Sequence, residues 1–211
     1  MLDATSTSNA FVSHAPRIIA GSFRGRRLLV PASGVRPTKD RVKAAVFSAL
    51  DARGLLIDAV VLDAFAGSGA LGIEAVSRGA AHATLVELDR AALVSLRTNV
   101  KTIGGPGAPF VVSASDVRTL CRSGRSTFDV VFCDPPYDWA VEDVDALLVD
   151  ICHAAPGGTV VIERGRRGPG ITPPDGWTVM WERSFGDTLV VFIQSVATVD
   201  ASTVQTESSA I

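Results

Sequence analysis

Asp134-Pro135-Pro136-Tyr137 closes the apolar run FDVVFC, Phe128 to Cys133. Pro136 has no N–H, and both prolines have a fixed φ. The corner therefore projects two acceptors, the Asp134 carboxylate and the Pro135 carbonyl, into one small space. An exocyclic amine on a nucleobase has two N–H donors that match them, and Tyr137 offers a π-face for stacking the base. Such a corner holds a nitrogen nucleophile in line with an electrophile. The chemistry is then a direct displacement helped by positioning and partial charge. Asp138 and Trp139 follow the corner, and residue type alone gives them no role.

A second group lies upstream in VLDAFAGSGALGIEA, Val61 to Ala75. A strand pattern ends at Asp63, and Gly67 and Gly69 open a helix pattern. Glycine lets backbone pass close to a ligand where a side chain would block it. Gly67, Gly69 and Gly72 match the dinucleotide fingerprint, and Glu87 follows Gly67 by 20 residues at the next strand end. Its carboxylate can accept from both hydroxyls of a ribose. NAD and S-adenosylmethionine both satisfy this much. Asp63 helps to separate them, because a pyrophosphate beside it would meet a negative charge. The ammonium and sulfonium of S-adenosylmethionine are instead favoured by an acidic pocket. Asp116 ends the third strand pattern, where an adenine amino group can donate to it. Three acids at three successive strand ends favour the cationic cofactor. His14, His82 and His153 lack the spacing of a metal site, Cys133 reads as core, and no metal is expected.

These residues need a scaffold that lines up strand ends. Strand and helix patterns alternate from AVVLDAF at 59–65 to GTVVIER at 158–164. WTVMWERSFGDTLVVFIQ then reads as two long strands joined at Phe185 to Asp187. Alternation implies a parallel sheet covered on both faces. The expected fold is α/β and Rossmann-like, with about seven strands, mostly parallel, and a C-terminal antiparallel hairpin. In front, RIIAGSFRGRRLLVP reads as a small β-hairpin turning at Ser22 to Gly25. Thr38 then caps a helix whose Val42, Ala45, Val46, Ala49 and Leu50 repeat at helical spacing. The expected organisation is a disordered tail over 1–16, a basic extension over 17–54, a cofactor-binding catalytic domain over 55–194 and a disordered tail over 195–211.

The 211 residues are 47% hydrophobic, enough to bury a sizeable core. No apolar run approaches the roughly 20 residues of a membrane helix. Three cysteines without a C-x-x-C pair fit a reducing cytoplasm. The net charge of −2 conceals a split: residues 17–53 carry +7 and the remainder −9. Such a split points to an anionic partner at one end of an acidic body. Arg17, Arg24, Arg26, Arg27, Arg36, Lys39, Arg41 and Lys43 are the candidate phosphate contacts, giving salt-sensitive affinity with little sequence readout.

DAFAGSGALGIEA, VELD and DPPY in this order resemble class I S-adenosylmethionine-dependent methyltransferases acting on amino groups. Together with RIIAGSFRGRRL and RPTKDRVKAAVFSAL, the likeness narrows to the RsmD-type 16S ribosomal RNA guanine-N2 methyltransferases, over about residues 17–194. The resemblance implies methylation of one guanine of 16S ribosomal RNA, on an assembled or partly assembled small subunit, by a cytoplasmic monomer. It implies that Asp63 and the loop Ala64, Phe65, Ala66, Gly67, Ser68 and Gly69 bind the methionine part and the ribose edge. Glu87 would take the ribose hydroxyls and Asp116 the adenine, while Asp134, Pro135, Pro136 and Tyr137 hold the target base. The segment Arg36 to Val42 would close over the site. Two other readings stay open: a DNA adenine-N6 methyltransferase, and a nicotinamide-dependent oxidoreductase or non-catalytic nucleotide-binding module.

Overall fold

The computed structural model describes residues 15–31, 40–136, 138–166, 168 and 170–196. Thr38, Arg36, Lys39, Tyr137 and most of both expected tails lie outside these residues. Seven strands form one sheet: β1 (Val60–Asp63), β2 (His82–Val86), β3 (Phe110–Ser113), β4 (Val130–Cys133), β5 (Thr159–Gly165), β6 (Trp177–Phe185) and β7 (Thr188–Ser195). Their order is β3-β2-β1-β4-β5-β7-β6, parallel from β3 to β5 and antiparallel for β7 and β6. The chain winds outward from β1 to β3, then returns to β4 on the other side of β1. That reversal opens a crevice at the carboxyl ends of β1 and β4, where such sheets bind ligands.

The helices are α1 (Asp40–Asp51), α2 (Ala70–Ser77), α3 (Arg90–Asn99), α4 (Val117–Arg122) and α5 (Val141–Ala154), with a π-helical turn at Val100–Gly104 after α3. Alternate residues of the central strands feed two cores, as a two-residue period requires. Val61, Leu85, Phe132 and Val161 join α1 and α2 on one face. Leu62, Val131, Cys133 and Ile162 join α5 on the other. Phe47 of α1 packs on Phe132 at 5.4 Å between ring centres, and Trp181 of β6 packs on Phe192 of β7 at 4.8 Å. Among the described residues no helix is long and apolar enough to cross a membrane.

The front end departs from two regular strands. It is an irregular antiparallel loop with one β-bridge, Arg17 to Arg27, and Ile18 and Leu28 enter the core. α2 and α3 supply its anchors. Ile19 N and Ala20 N donate to Glu74 at 2.7 and 3.0 Å, and Phe23 N donates to Ser77 Oγ at 2.9 Å. Asn99 accepts from Leu29 N and donates to the carbonyls of Leu29 and Ser68. A Cβ on Gly21 would collide with the Ser77 carbonyl, so the loop lies flush on α2.

Lys43, expected among the phosphate contacts, is instead fully buried. It sits three, four and seven positions before Val46, Phe47 and Leu50, which places it on the buried stripe of α1. Its ammonium lies 3.3 Å from Glu74, both side chains fully buried, and donates to the Arg17 carbonyl. Burial pulls its pKa down, against the opposing pull of Glu74. Arg78 closes the network with bonds to Glu74 and Asp51.

Candidate active site

The corner after β4 is where the sequence places it, beside β1. Asp134 is half-buried, Pro135 buried and Pro136 exposed. Burial pushes the Asp134 carboxyl up to about 6. Pro136 borders two cavities. One, of about 170 Å³, is lined by Ala64, Phe65, Glu87, Asp116, Val117 and Trp139 among others. The second, of about 140 Å³, is lined by Pro135, Val144, Glu163, Arg164, Gly165 and Gly168. The corner is thus a partition between two small chambers at the switch point of the sheet.

Ala64 and Phe65, which lead into the glycine loop, line the first cavity. Gly67 and Gly69 have φ of 53° and 83°, a region that side chains avoid. Gly72 is the close-packing glycine, since a Cβ there would lie 2.1 Å from Leu85. Three glycine amides of the loop and the start of α2 are already spoken for. Gly67 N donates to Glu87 Oε2 at 2.8 Å, Gly69 N to the Ala66 carbonyl at 2.7 Å, and Gly72 N to Asp63 Oδ2 at 2.9 Å. A pyrophosphate would need such amides free at the start of α2. Glu87 Oε1 also accepts from Leu88 N and Asp89 N, which fixes the carboxylate on the cavity edge. Asp116 caps α4 by accepting from Thr119 N at 3.0 Å and stays exposed at the rim. Phe65 and Trp139 meet edge to face at 5.6 Å, an apolar wall for a flat ring between two carboxylates. This donor set fits a nucleoside with a free diol and a cationic tail.

Asp63 is 2% exposed, behind the loop, with its carboxylate turned to α2. Burial raises it to about 7 despite the Gly72 bond, and the charges of Asp134 and Glu87 add to the rise. Sequence reasoning missed Glu163. It is 6% exposed, and burial first, then Asp134 and Asp63, raise it to about 8. The signal was available: Asp63, Glu87, Asp134 and Glu163 all stand at or near the carboxyl ends of parallel strands. Trp139, to which residue type assigns no role, joins the wall of the first cavity. Cys133 is buried, and burial raises its thiol pKa, so it offers no nucleophile.

A carboxyl raised on folding holds a proton that the unfolded chain has released, so stability falls as pH rises between the two values. For Asp63, Asp134 and Glu163 that interval runs from the ordinary carboxylate range up to about 6 to 8. Melting temperature is expected to fall from pH 6 to pH 8.5 in the wild-type chain, and less steeply in Glu163→Gln. Parallel slopes in differential scanning calorimetry would refute this.

Of the candidate phosphate contacts, Arg17, Arg24, Arg27 and Arg41 are exposed. Arg26 is tied to the carbonyl of Ile103 at 2.6 Å, with its guanidinium over Phe23. Arg41 also faces Arg183 and Phe185 across a groove of about 490 Å³.

The family described as conserved hypothetical protein 95 matches residues 16–194. The small-subunit ribosomal RNA methyltransferase D of Escherichia coli K12 is 40% identical over 172 residues, 81% of this chain and 85% of that protein. Its Haemophilus influenzae counterpart is 37% identical over 81% and 89%. The solved chain of Escherichia coli yhhF, assigned to the methyltransferases, superposes with a TM-score of 0.74 at 36% identity, over 86% of this chain and 98% of that one. Magnesium protoporphyrin IX methyltransferase of Synechocystis, at 15% identity and a TM-score of 0.62, shares the fold over 74% of this chain and 78% of its own. Sheet order, partitioned crevice and relatives agree, and the chain belongs to the conserved hypothetical protein 95 family, the RsmD family of methyltransferases.

Proposed function

We propose that this chain methylates the exocyclic N2 amine of one guanine in 16S ribosomal RNA, with S-adenosylmethionine as donor. The observation that carries the reading is the Asp134-Pro135-Pro136 corner standing between two cavities, one edged by the carboxylates of Glu87 and Asp116. The relatives' name, small-subunit ribosomal RNA methyltransferase, supplies the substrate class. When bound, S-adenosylmethionine supplies an electrophilic methyl group on a sulfonium. Glu87 would hold its ribose, Asp116 its adenine edge, and the loop Ala64 to Gly69 its flank. Asp63, turned to α2, would act on the cationic part through its field.

The chain's own task is to present the amine. Asp134 and the Pro135 carbonyl accept its two N–H bonds, which leaves the nitrogen lone pair to face the first cavity. As the nitrogen gains a bond it must lose a proton, and the Asp134 carboxylate is placed to take it and pass it to water. Raised to about 6, that carboxylate is ionised at neutral pH yet basic enough to serve. Tyr137 would stack the base.

The test is transfer of labelled methyl to small ribosomal subunits from cells lacking this protein, followed by nucleoside digestion. Label in N2-methylguanosine is expected, with calorimetric binding of S-adenosylmethionine and none of NAD. Binding of NAD, or label in methyladenosine of duplex DNA, would overturn the reading.

RNA would dock on the exposed arginines of the front end and the groove beside α1. Replacing Arg24, Arg27 and Arg41 by Gln is expected to raise KM at fixed kcat. Every arginine–phosphate pair removed lowers the salt slope of binding by roughly one. An unchanged slope in filter binding from low to high salt would place the RNA elsewhere.

A further inference from the structure

Beyond the corner, the second cavity contains an acid with no ion pair among the described residues. The parallel register Cys133 to Ile162 brings Asp134 level with Glu163 at the next strand end. Glu163 is 6% exposed and lines the 140 Å³ cavity with Pro135 and Pro136. Burial first, then Asp134 and Asp63, both of its own sign, raise its pKa, and Arg164 lines the same cavity with a buried guanidinium nitrogen that bonds to no described residue. Opposite it on β7 stands Val190. Lys43, the buried cation on the same side of the sheet, is committed to Glu74. A buried carboxyl beside two others costs stability and returns nothing to the fold.

We infer that Glu163 is the residue that reads the target base, pairing as a neutral carboxylic acid with the N1–H and O6 edge of the guanine whose N2 amine Asp134 and Pro135 hold. The inference rests on the methyl-transfer reading above. A carboxylic acid has one O–H donor and one carbonyl acceptor side by side. The lactam edge of guanine, N1–H donor beside O6 acceptor, is their complement, and it adjoins the N2 amine. A nucleobase with its amine held by Asp134 but an acceptor at the neighbouring ring nitrogen leaves the Glu163 carbonyl unmatched. The neighbouring carboxylates keep the proton in place: with Asp134 ionised at neutral pH, Glu163 stays protonated up to about 8.

The test compares wild type, Glu163→Gln and Glu163→Ala on unmethylated small subunits from pH 6 to 9.5, with thermal melting and S-adenosylmethionine calorimetry alongside. Glutamine reproduces the donor and acceptor of the neutral acid and cannot ionise. Glu163→Gln is therefore expected to keep kcat/KM within about 3-fold of wild type at pH 7 and to lose the fall in rate above pH 8. Glu163→Ala is expected to lose about 100-fold while cofactor affinity holds. A purely structural role would move the melting temperature and leave the alkaline limb in place. An alkaline limb that persists in Glu163→Gln, or a wild-type rate in Glu163→Ala, overturns the assignment and leaves the methyl-transfer reading intact. A wild-type chain that binds cofactor but leaves the subunits unmethylated overturns both. Should Glu163→Ala fail to fold, the Glu163→Gln profile alone decides.

Discussion

Asp134→Ala is expected to lower methyl transfer to small ribosomal subunits by about 10²- to 10⁴-fold, the range for losing a positioned base and acceptor. Cofactor affinity should change little, because the first cavity is lined by Ala64, Phe65, Glu87 and Asp116 among others, not by Asp134. Asp134→Asn keeps the carbonyl acceptor and loses the site for the proton, so it should fall between alanine and wild type. Burial raises the wild-type carboxyl to about 6, so the wild-type rate should climb as pH rises through that value, and the asparagine variant should not. Labelled-methyl incorporation across pH, with calorimetry for the cofactor, measures both. Wild-type turnover in Asp134→Ala would remove the corner from the chemistry.

The second large effect is on stability. Lys43→Met should destabilise the chain by about 3 kcal/mol, the lower part of the range for stripping one partner from a buried ion pair. Glu74 would stay fully buried, keeping Arg78 and the amides of Ile19 and Ala20 but losing its ammonium. Since Arg78 still offsets part of the charge, the upper part of the range is not expected. For a chain of this length the loss corresponds to roughly 6 to 12 °C in melting temperature. Arg17→Ala serves as the contrast. Its pair with Asp40 spans 3.4 Å with side chains 66% and 45% exposed, and such pairs contribute about 0 to 1 kcal/mol. Equal melting shifts for the two variants would refute the distinction.

Much of the fold was legible because its signals are local. Strand and helix periods located all seven strands, and the glycine loop and the proline corner fell at the carboxyl ends of β1 and β4. Lys43 failed for a physical reason. Its charge counted toward a basic front end, while its spacing to Val46, Phe47 and Leu50 already placed it on the buried face of α1. Periodicity outranked charge there. The alternation in the front segment predicts two strands, yet the Glu74 and Ser77 oxygens compete for amides that a ladder would have used. Glu163 stands at a strand end like the other acids, but nothing in GTVVIERG shows that it lacks an ion-pair partner. That depends on β5 lying beside β4, a long-range fact. Tyr137, Arg36 and Lys39 lie outside the described residues.

The anchoring of the front end decides how the chain can be trimmed or grafted. Glu74 and Ser77 hold the arm from one side, and Asn99 joins Leu29 to the carbonyl of Ser68 in the glycine loop. A chain begun at Leu55 would strip Glu74 of two amides and a lysine, and expose the core positions filled by Ile18 and Leu28. The arm is therefore no removable adaptor. Transplanting it to redirect another enzyme would require carrying α2 and the end of α3 along with it.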